Sequence, residues 1–243
     1  MAYTTVPKST LHFTPKLWSG NSSSQAITGL EFAPNWVWGK NRSGTQPHQL
    51  LDTTRGANNI LSSNTSTGNV VDSQILNSFN SDGFTLGSQD QLNDTGQTYV
   101  GWNWKAGTTS GIATDATTTI TPSSYSFNQT AGFSIIRYSG NGVDGAYLPH
   151  GLGASPKVMI VKRLNDNGED WYMYNTALGN QKYMKLNSAA AISGTDGMWG
   201  SYTPDSVNMK MSNDAQIGAS GGTFIMYCFA DIQGYSKISS YIG

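Results

Sequence analysis

The sequence predicts an all-β protein made of two tandem antiparallel β-sandwich, jelly-roll-like domains that arose by internal duplication. Three observations predict this fold class: short apolar runs separated by turn residues, a charged fraction of only 12%, and a segment that occurs twice. Gly, Ser, Thr and Asn are abundant, which suits strands and turns better than helices. A parallel sheet would need strands that alternate with long helices, so the antiparallel arrangement is favoured.

The repeated segment is a glycine turn, a proline and an apolar run that ends at a lysine. It occupies residues 29–40 and occurs again at residues 151–162. Proline fixes φ and cannot join a central ladder, so each copy indicates a turn that leads into a buried strand. The flanking sequence repeats as well, since residues 13–21 match residues 133–141 and residues 98–104 match residues 223–229.

The duplication divides the chain into five segments. They are an N-terminal arm (residues 1–12), a first β-sandwich repeat (13–105), a Thr/Ser/Gly-rich linker (106–131), a second repeat (132–233) and the orphan first strand of a third repeat (234–243). An orphan strand needs a sheet edge to pair with, in its own chain or in a neighbour. We therefore expect Tyr235, Ile238 and Tyr241 to contribute to assembly.

The individual strands are predicted where apolar, aromatic or β-branched residues lie between turn residues. In the first repeat we expect a first strand that begins at 17–18 and further strands at 25–28, 36–40, 49–52, 83–86 and 98–105. In the second repeat we expect them at 133–138, 146–148, 157–163, 171–174, 183–186, 207–211 and 223–230. The linker can carry one edge strand.

Residues 70–79 depart from this pattern. Val71, Ile75 and Phe79 recur at a spacing of four, which predicts a short helix.

The seven tryptophans suggest a sugar-binding surface, because flat aromatic faces stack on sugar rings. Comparing the repeats favours the protein core instead for most of them. Trp36 matches Val158, and a valine can replace a core residue but not a stacking platform. The same argument assigns six tryptophans to the core: Trp18, Trp36, Trp38, Trp102, Trp104 and Trp199.

Trp171 is the exception. Its nearest match is Gln49, and it follows the polar loop 165–170, so we expect it at a loop edge where a partner or ligand can reach it. Together with Asp166 and Asp170 it forms the candidate ligand-binding site, with a host-surface glycan as the candidate ligand. The loop lacks the register of a calcium-binding loop, so a solvated turn is favoured over a metal site.

The sequence shows no catalytic constellation and predicts neither an enzyme nor a cofactor. Residues 218–222 match G-x-S-x-G, but a strand follows them where a nucleophile elbow needs a helix. His12, His48 and His150 are scattered, so we expect surface or turn positions and no metal site. Cys228 lies in an apolar strand, which predicts a buried free thiol.

Charge and hydropathy exclude further classes of function. Fourteen Lys and Arg residues against fifteen Asp and Glu give a net charge of −1, which offers no footprint for nucleic acid or an anionic membrane. No apolar run approaches the ~20 residues that span a bilayer, so no membrane insertion is expected. No signal peptide follows Met1, so we expect synthesis in a cytoplasm.

Several short motifs occur along the chain: Trp18-x-Gly-Asn, Pro34-Asn35-Trp36-Val37-Trp38, Asp52-x-x-Arg55-Gly56, Asp82-Gly83-Phe84, Trp102-Asn103-Trp104-Lys105-Ala106 and Gly234-Tyr235-Ser236-Lys237. Together they resemble a repeat family of marine bacteriophage virion proteins that are described as tail-fibre-like.

The resemblance implies a non-enzymatic structural protein of the virion: a fibre, tail component, or head decoration or appendage. It would assemble as a homo-oligomer, a trimer or a polymer, with other virion proteins, and could take part in host attachment. The alternative interpretation is a carbohydrate-binding, lectin-like module. The family supplies no established binding residues.

Overall fold

The structure is a computed structural model that describes residues 3–190, 194, 197–200 and 202–240. Within these residues the protein is almost entirely β, with seventeen strands and one short helix, α1 (Asp90–Asn93). Two 3-10 turns, Ser9–Leu11 and Thr176–Leu178, complete the regular structure. The all-β prediction is confirmed. No helix in the described part of the chain is long and apolar enough to cross a membrane.

Nine strands lie in the first half of the chain. They are β1 (Phe13–Ser19), β2 (Gln25–Ile27), β3 (Trp36–Asn41), β4 (Gln49–Asp52), β5 (Asn59–Ser62), β6 (Val70–Val71), β7 (Leu76–Asn80), β8 (Gly83–Leu86) and β9 (Thr98–Trp104). Eight strands lie in the second half: β10 (Ser124–Asn128), β11 (Phe133–Ser139), β12 (Ala146–Pro149), β13 (Val158–Arg163), β14 (Tyr172–Asn175), β15 (Met184–Lys185), β16 (Asn208–Met211) and β17 (Thr223–Phe229).

Each half forms one large and one small antiparallel sheet. The large sheets have the orders β1-β9-β3-β4-β5-β6 and β10-β11-β17-β13-β14-β15, and the small sheets are β2-β8-β7 and β12-β16. The order β1-β9-β3-β4 in the first half corresponds to β11-β17-β13-β14 in the second. A duplication would produce such a shared strand order. The duplication itself remains a prediction from the sequence.

Each half is a sandwich with its own core between its large and small sheets. Alternate residues of a strand face opposite sides, so one side of each large sheet supplies this core. Buried side chains of the first core include Trp18, Val37, Leu51, Phe84 and Tyr99. Those of the second include Tyr138, Met159, Tyr174, Trp199, Met209 and Met226.

A third core joins the other sides of the two large sheets. Trp36 lies at its centre, with its ring stacked on Tyr227 at 4.4 Å and on Phe133 at 5.6 Å between centroids. Leu50 and Leu61 of the first half and Ile135, Ile160 and Ile225 of the second are buried in the same cluster. The layers therefore follow the order small sheet, large sheet, large sheet, small sheet.

The helix predicted at residues 70–79 is wrong. Strands β6 and β7 occupy this segment, separated by a turn in which Asp72 Oδ1 accepts a hydrogen bond from Gln74 N at 2.7 Å. A side chain that bonds the backbone two residues ahead competes with helix formation. Ile75 and Leu76 are consecutive buried residues, so the spacing of four did not mark a helix face.

Part of the predicted linker is regular structure. Strand β10 pairs with β11 along its whole length, and Ile120 is buried in the core of the second half. The amide of Ile120 also donates to Tyr147 O at 2.9 Å. Much of the segment 106–131 is therefore docked on the second half.

The predicted C-terminal strand is not formed over residues 236–240. Ile232 and Ser236 instead close a tight turn through an isolated bridge. Tyr235 contacts the ring of His12 at 6.2 Å, and Ile238 N donates to Asp231 Oδ1 at 2.8 Å. The segment thus folds back on its own chain, and Tyr241 lies outside the described residues.

Candidate functional site

Trp171 does not lie at an accessible loop edge, and that prediction is wrong. Its side chain is 0% exposed and packs in the core shared by the two large sheets. The indole Nε1 donates to Ser62 O at 2.9 Å, which ties the second half to the first. Gln49, the residue of the first repeat that matches Trp171, is also fully buried. A polar residue at the matching position therefore did not indicate that Trp171 is exposed.

The two aspartates of the predicted site are engaged by local groups. Asp166 accepts from Gly168 N at 2.7 Å and lies 3.8 Å from Arg163 Nη1. Asp170 pairs with Lys185 Nζ at 2.7 Å, and the hydrogen bond from this ammonium lowers the pKa of the carboxyl. Since Trp171 is sealed in the interior, the three predicted residues do not form a common ligand site.

The aromatic side chains that a ligand can reach lie elsewhere. Trp38, Trp102, Trp104 and His48 are half-buried and line a shallow concave surface with a volume of about 320 Å³. We call these four residues the aromatic platform.

The platform lies on the face of the first large sheet that is turned towards the second half. Trp38 and Trp102 are direct cross-strand partners on β3 and β9, and Trp36 and Trp104 form the next such pair. The second half covers Trp36, whereas the row of Trp38 and Trp102 extends beyond this cover. The core prediction therefore holds fully for Trp36, Trp18 and Trp199 and only in part for the three platform tryptophans.

His48 holds the indole of Trp38 in place. Trp38 Nε1 lies 2.8 Å from His48 Nδ1, and the two rings meet edge to face at 79° with their centroids 5.9 Å apart. An indole N–H can only donate, so His48 Nδ1 must be the acceptor and the ring proton resides on Nε2. Burial, followed by the nearby charge of Lys40, lowers the pKa of His48, which favours this neutral form.

The loop that carries His48 is fastened to strand β3. Lys40 Nζ donates to Gly44 O at 3.2 Å and to Gln46 O at 2.7 Å. Asn41 Oδ1 accepts from Ser43 N at 2.9 Å within the same loop. These bonds orient the loop before any ligand arrives, so the platform is a pre-organised surface that offers flat rings and one N–H donor.

An apolar cleft continues from the platform at Trp104. It has a volume of about 450 Å³ and lies where β1, β9, β11 and β17 meet. Phe13, Phe133 and Phe229 line it together with the predicted assembly residues Tyr235 and Ile238.

The remaining titratable candidates have structural environments. His150 lies in the loop after β12 but is fully buried, so the expected surface position is wrong. Cys228 is a buried free thiol as predicted, and burial raises its pKa to about 12. Across the residues that the structure describes, no group of three or more His, Cys, Asp or Glu side chains could hold a metal ion.

Strand alternation predicts one part of the platform from the sequence. Trp36 and Trp38 flank one residue, as do Trp102 and Trp104, so each strand places both of its tryptophans on one face. The pairing of β3 with β9, which brings these tryptophans onto one surface, is known only from the structure. No pattern in the sequence predicts the hydrogen bond between Trp38 and His48.

Comparison with known proteins yields one family. A family model described as a domain of unknown function, DUF7483, matches residues 8–243. No curated protein and no solved structure matches the chain.

Proposed function

We propose that this chain, which belongs to the DUF7483 family of domains of unknown function, is a non-enzymatic structural component of a bacteriophage virion. In this role it would form part of a fibre, a tail, or a head decoration or appendage and would assemble as a homo-oligomer. The motifs that resemble virion repeat proteins, such as Pro34-Asn35-Trp36-Val37-Trp38, motivate the proposal.

The core between the two large sheets supports a mechanical role. Besides the aromatic stack around Trp36, polar bonds cross this boundary. Tyr227 OH donates to Asp52 Oδ2 at 2.8 Å, and Lys162 Nζ donates to Ser66 O at 2.9 Å. A chain whose halves share a core keeps one shape, which suits a part that transmits force in a particle.

The observation that carries the proposal of self-assembly is the outer edge of the first large sheet. Strand β6 ends this sheet, and Val70 and Val71 expose 46% and 71% of their surface there. Strand β6 is too short to offer a row of backbone groups, but its two exposed valines form an apolar edge without proline or lysine that another copy of the chain can cover. The opposite edge, β1, contains Pro15 and Lys16, which protect it from pairing with another chain. We therefore assign the contact between copies to β6.

The experiment measures the mass of the purified chain by light scattering over a concentration series. We expect a defined multimer or a polymer, and we expect Val71→Lys to shift the mass towards the monomer because a buried unpaired charge opposes association. Val143→Lys is the matched control, since Val143 is 55% exposed in a turn outside the strands. A monomer at every concentration, or equal effects of both variants, would contradict the proposal.

A second candidate function, carbohydrate binding, is favoured by the aromatic platform. The platform is a sheet face and not a sheet edge, so the two functions can coexist in one chain.

A further inference from the structure

We infer that the aromatic platform of Trp38, Trp102, Trp104 and His48 is a carbohydrate-binding site for a neutral sugar chain. A pyranose ring stacks on the indole faces and accepts a hydrogen bond from His48 Nε2. This inference goes beyond the proposed structural role and does not depend on assembly at β6, because the platform and the β6 edge are different surfaces.

The first argument is the position of Trp38 and Trp102 on one row of the sheet. Pro15 pairs with Trp102, and Trp102 pairs with Trp38, so the row crosses strands β1, β9 and β3 in register. Neighbouring strands lie about 4.8 Å apart, which gives the row a length of roughly 10 Å. A row of this kind fits an extended ligand that lies across the strands, with the aromatic rings beneath its C–H faces.

The second argument is the hydrogen-bond donor of His48, which lies beside Trp38. His48 Nδ1 is occupied by the indole of Trp38, which leaves the Nε2–H as the donor of the ring. No partner of this nitrogen occurs within the described residues. A sugar offers hydroxyl oxygens at the rim of each ring, so one ligand can use both the flat faces and the donor.

The third argument concerns the charge of the ligand. The lining consists of three indoles and an imidazole whose geometry requires the neutral form. Lys40, the nearby cation, donates to two backbone carbonyls of the 41–48 loop. The lining thus offers dispersion contacts with the indole rings and one uncharged hydrogen-bond donor, His48 Nε2–H. These groups favour an uncharged sugar over a sulfated or carboxylated one.

The same fixed geometry supports a sugar over a protein partner. The concave surface is shallow, with a volume of about 320 Å³, and it combines three indole rings with one imidazole. Tryptophan rings lose little conformational entropy on binding, and here the indole of Trp38 is already held by His48. A surface that is ordered in advance and has a polar end is suited to a small ring with two chemically different sides.

The test is a titration of the full chain followed by tryptophan fluorescence and calorimetry. The probes are neutral hexasaccharides of α-linked glucose, β-linked glucose, N-acetylglucosamine and mannose. We expect at least one of them to bind with a Kd below about 1 mM. Trp102→Ala should weaken this binding at least about tenfold. If no probe binds below that limit, the inference is wrong.

The control is Tyr3→Ala, which removes an aromatic side chain that is exposed and outside the platform. It should bind the sugar as the natural chain does. Thermal melting of both variants separates loss of the site from loss of the fold. Unchanged binding by a folded Trp102→Ala variant would also overturn the inference.

A second variant addresses the donor. In His48→Gln the amide can accept from Trp38 and still donate to the sugar, so binding should persist, whereas His48→Phe should weaken it several-fold. Protonation of His48 would set two N–H groups against each other at Trp38 Nε1. Since burial lowers the pKa of His48 from its ordinary 6.5, binding by the natural chain should fall only as the pH drops below that value, and binding by His48→Gln should not. Equal pH profiles of binding for the natural chain and for His48→Gln would exclude His48 as the hydrogen-bond donor.

Discussion

Among single residues, a buried carboxylate links the two halves of the protein. Asp52 Oδ2 accepts from Arg55 Nε at 2.6 Å and from Tyr227 OH at 2.8 Å, and both charged side chains are almost fully buried. Arg55 also donates to Leu50 O and to Asn69 Oδ1, each at 2.8 Å. Because the guanidinium makes four hydrogen bonds and both oxygens of the carboxylate accept at least one, this ion pair can stay in the interior, where an unpaired charge would be strongly destabilising.

The candidate binding residues show where sequence comparison reaches its limit. Matching the repeats identified Trp36 as a core residue, because only the packing of a large apolar side chain is common to both copies. It misplaced Trp171 because it treated polarity of the matching residue as a sign of exposure, and Gln49 is buried too. The comparison of the repeats could not distinguish the buried Trp36 from the half-buried Trp102. Their difference in exposure depends on how far the second large sheet covers the first.

His150 leads to a prediction about acid stability. The imidazole is fully buried, with Nδ1 accepting from Leu152 N at 3.3 Å and Nε2 lying 3.2 Å from Asp205 O. Burial lowers the pKa of His150 from its ordinary 6.5 to about 4. The unfolded chain therefore binds more protons between these pH values, and stability falls as the pH drops through this window.

We expect His150 to contribute a loss of about 3 kcal/mol in the free energy of unfolding as the pH falls from above 6.5 to below about 4. Urea unfolding at several pH values measures the loss. The variant His150→Gln lacks the titrating group and should show a flatter profile. Profiles of equal slope in the two proteins would show that His150 is not responsible and that the carboxylates dominate.

At the scale of elements, most strands of both halves were predicted to within one or two residues. Strand β4 matches its prediction fully, and β9 and β17 each end one residue early. These strands are apolar runs between turn residues, so local chemistry determines them. Strand β5 was missed, and the segment 70–79 was wrongly predicted, because short strands with polar neighbours are defined by pairing with distant residues.

The C-terminal segment allows a prediction at the same scale. Tyr235 packs against the ring of His12, and Ile238 lines the apolar cleft beside Phe133 and Phe229. Deleting residues 235–243 would expose this cleft to water. We expect the deletion to lower the melting temperature by about 3–6 °C, as a loss of roughly 1–2 kcal/mol would in a chain of this size.

The control for the deletion is Lys237→Ala. Its ammonium forms an exposed ion pair with Asp231 Oδ2 at 2.8 Å, and such pairs contribute little to stability. This variant should melt at the temperature of the natural chain. A deletion variant with unchanged melting temperature and unchanged mass would show that the segment serves neither stability nor assembly.

For the whole molecule, the arrangement of the halves is the feature that the sequence did not reveal. The repeat comparison assigns a set of residues to the interior but does not say which surface covers them. Here Trp36, Phe133 and Tyr227 form one stack across the boundary between the large sheets. The segment 106–131 resembled a flexible linker in composition, and its docking depends on tertiary contacts such as that of Ile120.

The shared core predicts that the two halves unfold together. Trp36 is 1% exposed and contacts rings from both halves, so Trp36→Ala should cost about 3–5 kcal/mol and should destabilise the second half as much as the first. Trp102→Ala, on the same sheet face but half-exposed, should cost clearly less.

Urea unfolding followed by circular dichroism and by tryptophan fluorescence should give coincident single transitions in all three proteins. If the halves were independent, Trp36→Ala would separate the transition into two steps, and the later step would occur at the urea concentration of the natural chain. Coincident transitions that shift together would instead identify the contact between the large sheets as part of one cooperative fold.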